Sequence, residues 1–377
     1  MPAAGGDLWI ANTVTDLIQG DINEHIALEA IPLQGDVLGL GTTTSVDNGE
    51  LTFLRNGTGG TTIWKCQASD GGIRALHPGD GSAHFPYACF SSDATAVRLP
   101  VDPAELGPME GASLQPLIGA CIARLRAEGR LPEAPIYGLR LRCHWQGLVI
   151  TVSSKLCMAQ LGRNRALTLA PEATAEGSAS IYDQLQHFRF SASDPGDPAD
   201  PVRFLGRSLE WDCCGFWDTD PSQGRVTVPD ADDSLHLHGC STDLRYGGHL
   251  RLDHGETRLR AIETLAIYPL SRLHALMSDL VIEDPCFAEG VLRFTVANRG
   301  ALDISDVGIA VVIDDCYSSH RYLRVPWLQA GAVEPFAVPL TLTSGSHRLE
   351  VIADPEQSIL EGFRRQSHNR SALEVRL

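Results

Sequence analysis

The chain has 377 residues, 43% of them hydrophobic and 20% charged, with a formal net charge of -17. That acidity excludes a nucleic-acid partner, since phosphate binding needs clustered Lys and Arg, and no run approaches the roughly eighteen apolar residues of a membrane-spanning helix. The Met-Pro-Ala-Ala-Gly-Gly-Asp start has no signal-peptide pattern, so the cytoplasm is expected, where ten cysteines without a Cys-x-x-Cys spacing read as small buried hydrophobes.

In chain order, the apolar stretch Leu8 to Ile18 predicts a helix, with a second short one around Ile22 to Ala30. Gly39-Leu-Gly-Thr42 reads as a strand, and Asp47-Asn-Gly-Glu50 as hairpin-turn chemistry. Leu51 to Leu54, Thr61 to Cys66 and Ala83 to Phe90 continue as short strands between glycine turns. Leu114, Leu117, Ile118, Cys121, Ile122 and Leu125 recur at helical spacing and predict one amphipathic helix facing the core. Ile136 to Val152 is extended again, Ile181 to Phe188 predicts a helix, and Asp194 to Pro201 is turn-rich. Phe204 to Trp217 returns to strand, and Val226 to Val228 has the β-branched character of another.

The stretch Ser234 to Asp253 carries the chemistry. His236 and His238 are two apart, so on a strand both imidazoles leave the same face. Gly247-Gly248 marks a turn or close backbone approach, and the alternating His249-Leu-Arg-Leu-Asp253 return places His249 beside the first pair on a neighbouring antiparallel strand. Three neutral imidazoles with an open fourth position describe a catalytic zinc site, or one for another divalent metal. A His-x-His pair alone also fits half-buried histidines satisfied by backbone groups. Cys240, on the same face, is an alternative fourth ligand, and Asp243 would complete a two-histidine, one-carboxylate iron site; core and turn roles are the commoner expectation for both.

His236-Leu-His238, ten residues, then Gly247-Gly-His249 resembles the metal-binding signature of the bacterial α-acetolactate decarboxylases, whose zinc is held by three histidines in this arrangement. Three further blocks resemble that family in the same order, and the resemblance covers about residues 7 to 270: Gly39-Leu-Gly-Thr42 with Asp47-Asn-Gly-Glu50, Tyr137-Gly-Leu-Arg-Leu141, and the strand ending in Gly215-Phe. It implies that Glu50 is an active-site carboxylate and that zinc or another divalent metal is the cofactor. It also implies a keto-acid substrate, 2-acetolactate, giving acetoin and CO2. The family's active-site arginine sits in a Thr-Arg dipeptide five residues before a glutamine. Lys155, five before Gln160, takes that place if about four residues are inserted; without a gap the position falls on Thr151. Arg140 matches another family arginine, so both Arg140 and Lys155 stand as the catalytic cation. Glu283 is the candidate for a further glutamate near the family's carboxyl terminus. A related metalloenzyme acting on another keto acid, as decarboxylase or hydrolase, and a non-catalytic binding protein on the same fold remain open.

From about residue 279, some six or seven short strands in about 100 residues indicate an immunoglobulin-like sandwich. Val296-Ala-Asn-Arg-Gly300 and Ala353-Asp-Pro-Glu-Gln-Ser-Ile-Leu-Glu361 resemble CARDB adhesion modules, which bind or space. His320, His347 and His368 read as surface residues. The expected fold is therefore α+β: residues 1-274 form a mixed or antiparallel β-sheet metal-binding catalytic domain with few helices, and residues 275-377 a β-sandwich. A homodimer, and a protein partner or carrier for the sandwich, stay open; no membrane contact is expected.

Overall fold

A computed structural model describes residues 5–19, 25–43, 48–77, 79–80, 84–153, 185–194, 196–228, 233–317, 321–359, 361 and 368–377. The chain forms two compact units, Met1–Leu273 and His274–Leu377.

The first unit is built on one large sheet. Its path runs Glu210–Asp218, Leu235–Ser241, Gly247–Leu250, Ile136–Ser153, Arg258–Ala275, Gly6–Ala11, Tyr87–Asp93, Val37–Thr43, Gly49–Arg55, Thr61–Gln67 and Ile73–Ala75. Ile136–Ser153 also pairs with Glu210–Asp218, Ile136 opposite Asp218 and His144 opposite Glu210, so the histidine strands sit inside a closed circuit. Two apolar clusters fill the two faces. One gathers Leu139, Leu141, Leu235 and Leu237 under the helix Leu114–Ala127, and the other gathers Leu38, Leu40, Cys214, Phe216 and Tyr268.

That helix buries Leu114, Ile118, Cys121, Ile122 and Leu125, the stripe its spacing demands. It and Val14–Gln19 are the only α-helices among the described residues. The α+β label therefore gives way to a mainly β description. Leu8 to Ala11, expected as helix, belongs to the strand Gly6–Ala11, with Leu8 opposite Ser91 and Ala11 opposite Ala88. A short apolar run has no period of its own, and pairing to a buried neighbour decides it. The chain breaks at Asn12, whose φ is 66°, before the helix starts. Leu185 to Phe188, from the helix expected at Ile181 to Phe188, lie in the strand Leu185–Ser191, paired to Ile136–Ser153. Ile136–Ser153 is one strand of 18 residues, with shifts of register around Trp145, so Arg140 and Thr151 share it. Val226 to Val228 form no strand; Val226 is a fully buried core residue.

The second unit has a three-stranded sheet, Leu280–Ala288, Val291–Asn298 and Val333–Pro339. Facing it is a four-stranded one in the order Arg321–Leu328, Ile304–Ile313, Ser346–Ala353, Arg370–Arg376. Leu292, Phe294 and Val296 from the first sheet meet Val307, Ile309, Val311, Leu349 and Val351 from the second in one apolar cluster, which makes it a sandwich. No helix among the described residues is long and apolar enough to cross a membrane. Of the nine described cysteines seven are buried; Cys286 and Cys316, in the sandwich, are exposed rather than buried as expected.

Candidate metal centre

Alternation sets up the site. On Leu235–Ser241 the odd-numbered Leu235 and Leu237 enter the core under the helix, which turns His236 and His238 to the opposite side. Gly247–Leu250 pairs antiparallel with this strand, placing His238 opposite His249. On its other side His249 stands opposite Thr151. Gly248 allows this three-strand contact, since its φ is 151° and a Cβ there would lie 2.9 Å from Thr151 O. Gly215 does the same on the outer strand, where a Cβ would lie 2.0 Å from His236 O.

The rings of His236 and His249 are 4.8 Å apart between centroids, and those of His238 and His249 5.4 Å. One ligand atom from each of the three lies within 4.8 Å of the others. The tautomers follow from the backbone. His236 Nδ1 is 2.5 Å from Val226 O, and His238 Nδ1 is 2.8 Å from Leu51 O. A carbonyl only accepts, so each Nδ1 carries the proton and donates, leaving Nε2 with a lone pair. Those two Nε2 atoms face each other at 3.1 Å. Two lone pairs that close repel unless a cation sits against them, and backbone-anchored imidazoles are the usual outer support of a metal site. The donor set thus fits a divalent cation of the kind that takes imidazole nitrogen. Burial pushes the His236 imidazole down to about 4. Burial, and then the neighbouring rings, hold His238 and His249 well below the usual histidine range, so all three are neutral and ready to ligate.

Glu50 closes the site from the strand Gly49–Arg55. Its Oε1 accepts from the Ser153 N–H at 3.0 Å, and its Oε2 lies 3.9 Å from His238 Nε2. Adjacent residues of one strand therefore supply a carboxyl, Glu50, and the carbonyl that orients His238, Leu51. Burial raises the Glu50 carboxyl to about 8, against the lowering effect of its bonds to Ser153. A cavity of about 460 Å³ opens over the histidines, with Leu17, Leu235 and Leu250 as apolar wall and Thr42, Glu50 and Ser153 as polar wall. Thr42 Oγ1 donates to Gly49 O at 2.8 Å and lies 2.8 Å from Ser153 Oγ, tying the two strands that carry Glu50 and its donor.

The other residues singled out in the sequence fall elsewhere. Arg140 is not among the described residues lining the cavity. Its Nε donates to Asp36 Oδ1 at 2.6 Å, and its Nη1 and Nη2 donate to Phe53 O and Val37 O. Lys155 and Gln160 lie outside the described residues. Cys240 is fully buried among Cys214 and Phe216, and Asp243 accepts from Ser241 and Ser208 hydroxyls in a turn. Glu283 accepts both prongs of Arg299 within the sandwich. His347 is 2.8 Å from Asp314 and 2.9 Å from Thr343 O; His320 lies outside the described residues. Sequence reading missed Arg251 and Asp253, which do line the cavity. The signal was the same alternation, carried two residues past His249.

Fold and site together define a mainly antiparallel β-sheet unit with a three-histidine cavity, followed by a β-sandwich. No family model matches the chain, and no curated protein does. Among solved structures it is similar to α-acetolactate decarboxylase from Bacillus subtilis strain 168, at 15% identity and a TM-score of 0.44, over 71% of this chain and 88% of that one. A Staphylococcus aureus protein of unknown function, described as similar to α-acetolactate decarboxylase, gives 15% identity and a TM-score of 0.42, over 71% of this chain and 89% of that one. The CARDB domain of a Pyrococcus furiosus protein, solved in complex with di-metal ions, gives 17% identity and a TM-score of 0.21, over 26% of this chain and 93% of that domain.

Proposed function

We propose that the protein is a metal-dependent decarboxylase of a 2-hydroxy-3-keto acid, with conversion of 2-acetolactate to acetoin and CO2 as the specific reaction. The observation that carries this reading is the convergence of three neutral imidazoles on one point beside the buried Glu50 carboxyl, 3.9 Å from His238. The four sequence blocks that resemble the decarboxylase family in the same order, His236-Leu-His238 to His249 among them, support the same reading. His236, His238 and His249 would hold the divalent cation, zinc by preference for such a donor set. When bound, that cation supplies Lewis-acid stabilisation of charge building on substrate oxygens.

The chain's own residues do the rest. Thr42 and Ser153 fix the strand that presents Glu50. Because Glu50 Oε1 accepts the Ser153 N–H, Oε2 is the oxygen left to carry a proton, and it faces His238. As the carbon–carboxylate bond breaks, CO2 leaves without the bonding electrons. The carbon that keeps the pair takes its proton from Oε2, and Glu50 recovers one from water. The apolar wall formed by Leu17, Leu235 and Leu250 limits water around the reacting atoms. We assign the sandwich a binding or spacing role outside the chemistry, on the observation that Glu283, its one site candidate, is held by Arg299.

The test is CO2 release from 2-acetolactate by purified protein of measured metal content. Stoichiometric metal, activity abolished by a chelator and restored by zinc is the expected result. A fully loaded protein that releases no CO2 from any 2-hydroxy-3-keto acid in a panel overturns the reading.

A further inference from the structure

A charged pair stands in the cavity wall beside the histidines. Arg251 comes two residues after His249, and its main-chain N–H donates to Val149 O at 2.9 Å, so pairing to the Ile136–Ser153 strand runs past Leu250. At strand spacing, Arg251 leaves the chain on the His249 side, about 7 Å further along. Both residues line the cavity. The guanidinium meets Asp253 with two prongs, Nε to Oδ1 and Nη2 to Oδ2, each at 2.8 Å. The partners differ in setting: the Arg251 side chain is 16% exposed and that of Asp253 72%. Among the described residues that line the cavity, Arg251 is the one lysine or arginine.

We propose that Arg251 is a specificity-determining residue that receives the substrate's carboxylate, with Asp253 as its exchangeable counter-ion; this rests on the decarboxylase reading. A largely buried guanidinium needs an anion beside it at all times, because removing one partner of a desolvated pair leaves an uncompensated charge. Asp253 meets that need in the free protein, and being mostly in water it returns to solvent at little cost. A carboxylate substrate presents the same two oxygens to the same fork, so exchange conserves both hydrogen bonds. A neutral substrate offers no such exchange. Arg140 is not among the described residues that line the cavity, and its Nε, Nη1 and Nη2 each donate elsewhere, to Asp36, Phe53 O and Val37 O.

The test uses the zinc-loaded full chain and two unreactive probes of one skeleton, 2-hydroxyisobutyrate and the neutral 2-methyl-1,2-propanediol, titrated calorimetrically. Wild type should prefer the acid. Arg251→Gln should lose about ten- to a hundredfold in acid affinity, the loss of charge-assisted hydrogen bonds, with diol affinity and metal content unchanged. Arg251→Lys should keep part of the preference, and Asp253→Ala, lacking the competing carboxylate, should bind the acid at least twofold tighter; these two answer the question if Arg251→Gln does not fold. An acid preference intact in Arg251→Gln, unaltered binding in Asp253→Ala, or no acid preference in wild type overturns the inference. If wild type releases CO2 from 2-acetolactate and Arg251→Gln does so at the same KM, this inference falls and the decarboxylase reading stands. If wild type releases none but shows an acid preference that Arg251→Gln abolishes, the reading falls and the carboxylate site stands.

Discussion

His238 and His249 are a register pair across two hydrogen-bonded strands, their rings nearly perpendicular at 84°. Each is fixed by a ladder rather than by a loop, so the two ring positions are set by the sheet itself. His238→Ala should leave under about a tenth of the bound metal, because each ligand contributes much of a site's affinity. Elemental analysis of purified protein reads this directly, and full retention in single variants of all three histidines would sink the assignment. Chelation should also lower the melting temperature, since a cation bound at about a thousand times its Kd adds about 4 kcal/mol to the folded state.

Glu50→Gln keeps an oxygen for the Ser153 N–H but removes the exchangeable proton from the site. Turnover should fall by about a hundredfold or more with metal content and KM little changed, as expected for a lost proton carrier. Steady-state kinetics on metal-matched samples distinguishes this from a ligand role, in which metal would be lost as well.

Arg140 should prove structural. Asp36, whose side chain is 1% exposed, accepts from Arg140 Nε at 2.6 Å and from the Tyr268 hydroxyl at 2.7 Å. Arg140→Ala strands that buried carboxylate, with Arg55 only at 3.9 Å, and should cost about 3 kcal/mol of stability. Denaturant unfolding measures it. A variant of unchanged stability with a large rise in KM would return Arg140 to the site.

Burial pushes the Glu361 carboxyl of the sandwich up to about 7 from 4.5, against the lowering bonds it accepts from the Asn369 side chain and the Leu280 N–H. The fold therefore prefers the neutral acid. Its contribution is complete below about 4.5, declines as pH rises, and is lost above about 7, roughly 3 kcal/mol across the window. Melting of the sandwich should fall from pH 5 to pH 8 in wild type, while Glu361→Gln flattens the profile; parallel profiles would refute the assignment.

A chain ending at Ala275 should retain metal and turnover, since the described cavity residues all precede His254. Loss of turnover by a folded, metal-loaded fragment would show that the sandwich completes the site.

Legibility in the sequence followed the range of the forces involved. The histidine pair, the return to His249 and the Leu114 to Leu125 stripe were readable, because period-two and 3.6-residue spacings are local properties. Leu8 to Ala11 was not, because its partner strand lies some 80 residues away and the run carries no period. Arg140 looked like a site residue for a similar reason: its acceptor Asp36 is 104 residues distant. Arg251 was hidden by its ordinary place in an alternating strand, and only the cavity distinguishes it from an outward-facing residue.

Two of the three histidines are held by main-chain carbonyls, those of Val226 and Leu51. A carbonyl survives any substitution at its own position, so point mutation cannot delete these acceptors as it can an aspartate behind a histidine. The basicity of His236 and His238 is therefore insulated from single codon changes. Variation among descendants of this sequence should collect in the walls of the cavity, altering what is accepted, while the electronic character of the centre stays constant.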